Sequence, residues 1–575
     1  MHGFEMRRVL RWGVCAGLGC LIQSVPVPSA AQTPGRLHPR WEIPGFDFSR
    51  DGVWRKRSRQ VAARRAAMLA RRQFAALNAP LAARVAEPSG PAVMGTLEVP
   101  VILFKYADSP VPAFDTAAYN AVLFGTTPPL GRPYTYRSFY QQLSNGLLDI
   151  QGQTYGYAAL DSNEETYAGK PPCSGSPFGN SNCNGLFDGG QVAPDPVTRM
   201  QSGLTRALAQ LDASIDWTQY DRDADGYVDL VVFIQPALDG ACGGASNNHL
   251  WSHRFFLGAY VPEFQTHSPG PGGVGFEKVR DYILQSGLGG SSACDTMSIM
   301  PIGTVAHETG HGFGLPDLYD TGLYTSSEGI GEWGLMGEGN YATALSPARM
   351  EAWSLNELGW VTIVPLTAAG TYSFGAAPLS DTTFYIRAQG ANPRGEYYLL
   401  ENRQARQSDS ALIRKHGGGG LLVWHVDSTQ IAQHGFNGDN TVNAGPIHGL
   451  ALVQADNRGD LDAGRNRGDG GDPYPGTTSN VTLSLVHAPF PLKNVDGSFA
   501  GFSLDSIWQV APDSMMAFRV SFGAPTPAAQ AVIDQLLIGT GLAPTDQTYL
   551  DLSGNRNAQY DVGDFLAWVN AGNVP

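Results

Sequence analysis

His307-Glu308-Thr309-Gly310-His311 is the densest patch of chemistry in the chain. On a helix, residues four apart lie one turn apart on one face, so His307 and His311 can grip one metal ion. Glu308 projects about 100° round the helix from His307, beside the ion rather than on it. Gly314 can take a left-handed backbone and end the helix, and the reversal brings Asp317 towards the same ion. Three protein ligands leave a fourth zinc position for water, whose pKa falls towards ~7 on the metal. Glu308 is placed to accept that water's proton as general base during attack on a scissile carbonyl, and to pass it to the leaving amine. The pattern reads as a zinc hydrolase acting on peptide bonds. Glu332 and Glu338 lie close enough downstream to compete with Asp317 as third ligand. Tyr341 and His253 are candidates for a second oxyanion donor.

The elements that must position these groups are legible around them. Pro301 suits the first turn of a helix over 302–313. GIGEWGLMGEGNY (329–341) surrounds Met336 with glycine turns, and a methionine turn after such a motif forms a hydrophobic floor beneath the metal. PARMEAWSLNELGW (347–360) has the period of an amphipathic helix. Upstream, LEVPVILFKY (97–106) is a buried-strand pattern, and 138–156 reads as a helix, a turn at Asn145-Gly146 and a strand.

A second chemical signal is YDRDADGYVDLVVF (220–233). Asp221, Asp223 and Asp225 alternate, Gly226 permits a sharp turn, the Tyr227 carbonyl follows and Asp229 comes next. These match positions 1, 3, 5, 6, 7 and 9 of an EF-hand-type Ca2+ loop. Position 12 is Val232 rather than Glu, and the stretch runs directly into a strand. NRGDGGDPYPG (466–476) offers Asp469 and Asp472 as a further calcium loop or a plain turn. Near the C-terminus, Ser553, Asn555, Asn557, the Gln559 carbonyl, Asp561 and Asp564 align with positions 1, 3, 5, 7, 9 and 12. His425 and Asp427 sit on a strand and read as packing or hydrogen-bonding residues.

The 575 residues carry 16% charged side chains with 70 Gly and 39 Pro, which favours loop-rich, β-rich modules. Residues 1–31 read as a secretory signal, with Arg7, Arg8 and Arg11 before an apolar run too short to span a bilayer. Residues 32–92 include an Ala/Arg-rich helical stretch and read as a propeptide that covers the active cleft until removed. Residues 1–84 are basic, at +11, which leaves −25 of the total −14 on the remainder. Such an acidic body argues against a nucleic-acid partner. No other stretch could span a membrane. Four cysteines lie beyond the leader, and the expected disulfides are Cys173–Cys183 and Cys242–Cys294. Short β patterns fill 361–523 and point to a β-sandwich, and a Pro/Ala linker at 524 leads into a C-terminal helical segment.

The ordered blocks LEVPVILFKYAD, SFYQQLSNGLLDIQG, YDRDADGYVDLVVFI, HETGHGFGLPDLYD, GEWGLMGEGNY, ELGW, YYLLENRQ, GGLLVWHVD and NRGDGGDPYPG resemble the immune inhibitor A family of bacterial secreted metallopeptidases, over roughly residues 95–520. The resemblance implies an α+β zincin-type catalytic domain with a methionine turn (93–364), a β-sandwich domain (365–523), calcium stabilisation and an N-terminal propeptide acting as the enzyme's own inhibitor. It implies His307 and His311 as zinc ligands, Glu308 as catalytic base and Asp317 as third ligand. Gly334 departs from the family pattern, which often has Asp after the Trp. The last segment (524–575) resembles one half of a dockerin, which implies a small helical calcium-binding tail and a cohesin-type partner, although dockerins normally carry two such loops. The expected function is a secreted, extracellular zinc metalloendopeptidase made as a zymogen and cleaving proteins or peptides, with Zn2+ and Ca2+ as cofactors. The rival reading is a catalytically silent surface-binding or adhesion protein on a protease-like scaffold. Glu308 argues against that rival, because a binding module does not need a general base.

Overall fold

In the computed structural model, the described residues are 93–170, 183–185, 196–242 and 249–573, apart from 223, 259, 323–326, 378, 390–391, 436–439, 487–491 and 512–514. The expected signal peptide and propeptide lie outside them, as do Cys173 and Asp223.

Strand β1 (Gly95–Lys105) organises the first half. Its side chains alternate between two cores, as the pleat requires. Leu97, Val99, Val101 and Leu103 face one core, and Ile102 and Phe104 face the other. Both faces are covered, which is why the sequence reads there as a continuous apolar run. β1 pairs in parallel with β2 (Leu148–Ala159) and with β3 (Val231–Gln235). Outward from β3 come β7 (Asp281–Ser286), also parallel, and antiparallel β4 (His253–Phe256). The sheet order is β2-β1-β3-β7-β4. β5 (Phe264–Pro269) and β6 (Phe276–Val279) form a hairpin before β7, and β8 (Leu288–Gly289) pairs with β9 (Asp295–Ile299) after it.

Helices supply the crossovers that parallel strands need. α1 (Thr116–Leu123) and α2 (Tyr136–Leu143) connect β1 to β2. Thr135 closes a capping box with Ser138 at the start of α2. Asn145 and Gly146, with φ of 53° and 80°, make the turn into β2. α3 (Pro196–Leu211) connects β2 to β3 and packs on the opposite face of the sheet. α4 (Gly303–Gly312) lies with α1 and α2 in the first core, every residue of it buried.

The region after residue 361 is built on two further sheets. β10 (Thr362–Pro365), β12 (Thr382–Arg387), β13 (Tyr397–Arg403), β14 (Gly420–Val426) and β15 (Leu450–Leu452) form a five-stranded sheet in that order. β11 (Gly370–Gly375), β17 (Met515–Phe522) and β16 (Phe502–Ala511) form a three-stranded one. Alternation along the five-stranded sheet serves two cores. Leu400, Leu421 and Val423 meet the three-stranded sheet. Leu399, Leu422 and Trp424 join the core that contains α4. The expected boundary at 364/365 falls inside β10, and the first core runs across it.

The helix expected over 347–360 is shorter, Ala352–Glu357, because Glu351 caps it: its side chain accepts from Ser354 N at 2.7 Å. The C-terminal segment is three helices, Ala529–Ile538, Pro544–Ser553 and Val562–Asn570, with a small core of Val532, Leu542, Leu550 and Trp568. No helix among the described residues is long and apolar enough to cross a membrane.

Candidate metal centre

α4 carries His307 and His311 on one face, with ring centroids 4.9 Å apart. Each imidazole is held by a backbone carbonyl at its Nδ1: His307 by Leu335 O at 2.7 Å and His311 by Leu315 O at 2.9 Å. A carbonyl only accepts, so both Nδ1 atoms carry the proton and both Nε2 lone pairs are left for a metal. The carbonyls come from the two places the sequence singles out. Leu335 begins the turn that carries Met336, and Leu315 follows Gly314, whose φ of 91° reverses the chain after the helix.

That reversal delivers Asp317. Its Oδ1 lies 3.0 Å from His307 Nε2 and 3.2 Å from His311 Nε2. Tetrahedral ligands at ~2.0–2.1 Å from zinc are about 3.3 Å from one another. The donor set is two neutral imidazoles and one carboxylate, fully buried at Asp317 and nearly so at the histidines, and it suits Zn2+. Glu332 and Glu338 do not compete. The Glu332 carboxylate accepts from Lys415 Nζ at 2.7 Å and His416 Nε2 at 2.8 Å. Glu338 is ion-paired with Arg467.

Asp317 is itself held from a distance. Asn440 Nδ2 donates to Asp317 Oδ2 at 2.5 Å, and Asn440 Oδ1 accepts from Asp317 N at 2.7 Å. Asn443 Nδ2 donates to Leu318 O at 2.7 Å. Asn440, just before β15, orients the Asp317 carboxylate so that Oδ1 faces the histidines, and Asn443 holds the neighbouring Leu318 carbonyl. Sequence reading missed both, and they look there like ordinary turn residues.

Glu308 is buried, and its Oε2 has no hydrogen-bond partner among the described residues. Burial pushes its carboxyl up to about 7, His307 and His311 act against that, and Asp317 and Asp239 add to it. Asp239 is another residue that sequence reading missed. It is buried, accepts from Ala241 N at 2.9 Å, and lines a cavity of about 350 Å3 with Thr304, Tyr341 and the Cys242–Cys294 disulfide. Tyr341 faces this cavity. Burial, with Asp239 and Glu308 nearby, raises its phenol well above 10, so it stays a donor at any physiological pH. The other oxyanion candidate, His253, is elsewhere. It is fully buried, bonded through Nδ1 to Trp251 O and through Nε2 to Tyr282 OH, a packing role in β4.

Met336 lies directly under α4. A Cβ added at Gly310 would stand 2.3 Å from Met336 Sδ, so the glycine inside the metal motif is what lets the methionine approach. Gly334 is similarly confined: a Cβ there would come 2.5 Å from Glu351 Oε2. The Glu351 carboxylate takes the room that a side chain at 334 would need.

The other sequence-singled residues fall outside this site. Asp221 accepts from Asp225 N and Gly226 N, and Asp225 accepts from Tyr227 N, so the 221–229 loop is folded round its first aspartate. Asp229 Oδ2 accepts from Arg222 N at 3.4 Å. In the 466–476 stretch, Asp472 accepts from Trp333 Nε1 and Asp469 N, while Asp469 is grouped with Asp456 and Asp460 instead. In the tail, Ser553 is the last residue of a helix, and the Asn555 and Asn557 amides donate to Asp561. Asp564 accepts from Asn555 N and Asp561 N. His425 bonds Glu396, and Asp427 caps the following helix. Cys242–Cys294 is formed as expected. Cys183 is buried, and its expected partner Cys173 lies outside the described residues.

Residues 108–362 match the family model described as immune inhibitor A peptidase M6, catalytic domain. Over 250 residues the chain is 26% identical to the pre-pro-metalloprotease PrtV of Vibrio cholerae serotype O1 (strain M66-2), covering 42% of this chain and 25% of that protein. Over 280 residues it is 24% identical to immune inhibitor A of Bacillus thuringiensis subsp. alesti, covering 44% of this chain and 37% of that one. The matches thus span well under half the length of these curated relatives. His307, His311, Asp317 and Met336 lie inside the matched family region, and Asn440 lies beyond it.

Proposed function

We propose, from the match of residues 108–362 to the immune inhibitor A peptidase M6 catalytic-domain model and from the site's geometry, that the protein is a secreted zinc endopeptidase that cleaves proteins or peptides outside the cell. The observation that carries this reading is the convergence of His307 Nε2, His311 Nε2 and Asp317 Oδ1, with a buried Glu308 oxygen on the same helix that has no hydrogen-bond partner among the described residues. His307, His311 and Asp317 would hold the ion. Zinc in such a site supplies Lewis-acid polarisation of a carbonyl oxygen and of water.

The chain's own groups do the rest. Glu308 accepts the proton of the attacking water on its free oxygen and delivers it to the amine nitrogen as the peptide bond breaks. Tyr341, a permanent donor on the cavity wall, hydrogen-bonds the oxygen on which negative charge develops. The Nδ1 bonds to Leu335 O and Leu315 O keep both imidazoles in one orientation through turnover.

The opposition of a +11 segment at 1–84 and a −25 remainder supports an N-terminal propeptide that docks on the acidic body and is removed on activation. Protein beginning near Gly95 is then more active than the longer form.

A casein assay tests the central claim. Glu308→Ala should lose about 10²–10⁴-fold in kcat while still binding one zinc. Full activity in that variant, or in excess zinc chelator, would sink the reading.

A further inference from the structure

The Asp221–Asp229 loop has a calcium-loop register but no ligand at its twelfth position. That residue, Val232, is inside β3 and paired with Val101 of β1. A bidentate carboxylate normally stands there and closes the ion's coordination sphere. The structure places one against the loop from a different element. β6 runs beside the loop, with Lys278 N donating to Gly226 O at 3.0 Å and Val228 N donating to Lys278 O at 2.9 Å. Those two bonds fix the neighbouring residue, Glu277, beside the loop.

Glu277 has no ordinary reason to be there. It is 2% exposed, and its Oε2 is buried with no hydrogen-bond partner among the described residues. Burial pushes its carboxyl up to about 7, and the carboxylates of Asp221, with which it shares a side-chain hydrogen bond, and Asp225 add to the rise. The basic residues that flank it on the far side are engaged with other partners. Lys278 and Arg280 lie over the Tyr227 ring and against Glu263. A buried carboxylate aimed at other carboxylates costs free energy unless a cation joins them.

We propose that Glu277 is the missing carboxylate ligand, so that Asp221, Asp225, Asp229 and Glu277 together hold one Ca2+ between the 221–229 loop and β6. An all-oxygen, highly anionic donor set of this kind selects Ca2+ rather than Zn2+. The ion ties the segment entering β3 to the β5–β6 hairpin, and so braces the sheet on which α4 rests. This assignment is independent of the peptidase reading: either can fail while the other stands.

The test uses the full chain in a Glu308→Gln background, which prevents self-cleavage, with CaCl2 as the only added ligand. Calorimetric titration and thermal melting are compared for that parent, Glu277→Gln and Glu277→Asp. The parent should melt higher in calcium than in chelator. Glu277→Gln should bind one Ca2+ fewer, or bind it roughly tenfold or more weakly, and lose most of the calcium-dependent rise in Tm. In chelator it should melt no lower than the parent, because glutamine removes a like-charge contact. Glu277→Asp, a shortened carboxylate, should retain the fold and bind more weakly than the parent. A merely structural Glu277 predicts the reverse pattern: a lower Tm in chelator and an unchanged titration. That pattern, or a parent whose Tm ignores calcium, overturns the proposal.

Discussion

In the proposed metal centre two nitrogen atoms and one oxygen would hold the ion, and their aim is set by groups that would not touch it. Asn440 is the clearest of these. It grips Asp317 at both its backbone N–H and its Oδ2, leaving Oδ1 as the only carboxylate oxygen facing the histidines. Removing such a supporting residue typically costs 10–100-fold in metal affinity. Asn440→Ala should therefore weaken zinc binding about 10–100-fold in a chelator competition, with an unchanged far-ultraviolet circular dichroism spectrum. Unaltered zinc affinity would show that Asp317 needs no such support.

At the scale of elements, α4 and the turn carrying Met336 are fitted to each other through one missing methyl group. Gly310→Ala gains about 1 kcal/mol of helix propensity, yet drives a carbon into Met336 Sδ, and overpacking costs about 1–3 kcal/mol. The expected net is destabilisation in urea melts, relieved in the double variant with Met336→Ala. If both variants were equally unstable, the contact would not be the cause.

The turn's other support, Glu351, carries a pH signature. Burial raises its carboxyl from the ordinary value near 4.5 to about 7. A group raised in the fold contributes stability that is complete below its unfolded pKa and is lost as pH rises through the folded one. Between pH 4 and pH 8 the contribution lost is about 3 kcal/mol. Glu351→Gln keeps an acceptor for Ser354 N and has no proton to lose. Its stability relative to the native chain should rise by about that amount from pH 4 to pH 8, read as the difference between two denaturation series.

For the whole molecule, the five-stranded sheet is a shared layer and not the floor of a separate domain. Its Leu399, Leu422 and Trp424 are in the same core as α4, and Asp409 and Arg403 tie it to the chain before it through Arg349 N and Trp333 O. A chain cut after residue 364 loses one wall of the first core together with Asn440. It should be insoluble or molten and bind no zinc. Residues 93–523 should unfold in a single calorimetric transition, and deleting 524–575, which has its own small core, should leave that transition in place. Two separate transitions in 93–523 would contradict the shared core.

The local chemistry was legible because it is local. His307, Glu308 and His311 are set by the 3.6-residue period, Gly314 by the left-handed backbone it must adopt, and the start of the Asp221 loop by the bonds of Asp221 to Asp225 N and Gly226 N, four and five residues on. β1 and the Asn145-Gly146 turn were readable for the same reason. What only the tertiary structure decided lies where side chains distant in sequence meet. It brought Asp317 to the histidines and turned Glu332 and Glu338 to other partners. It placed Tyr341 on the wall of a cavity shared with Asp239 and Thr304, and His253 in the packing of β4. It brought Asn440 across 123 positions to the ligand loop and set Glu277 against a loop some fifty residues earlier. Periodicity says which face of an element a residue occupies. It does not say which other element will face it, because that is settled by how the sheets and helices share their buried surfaces.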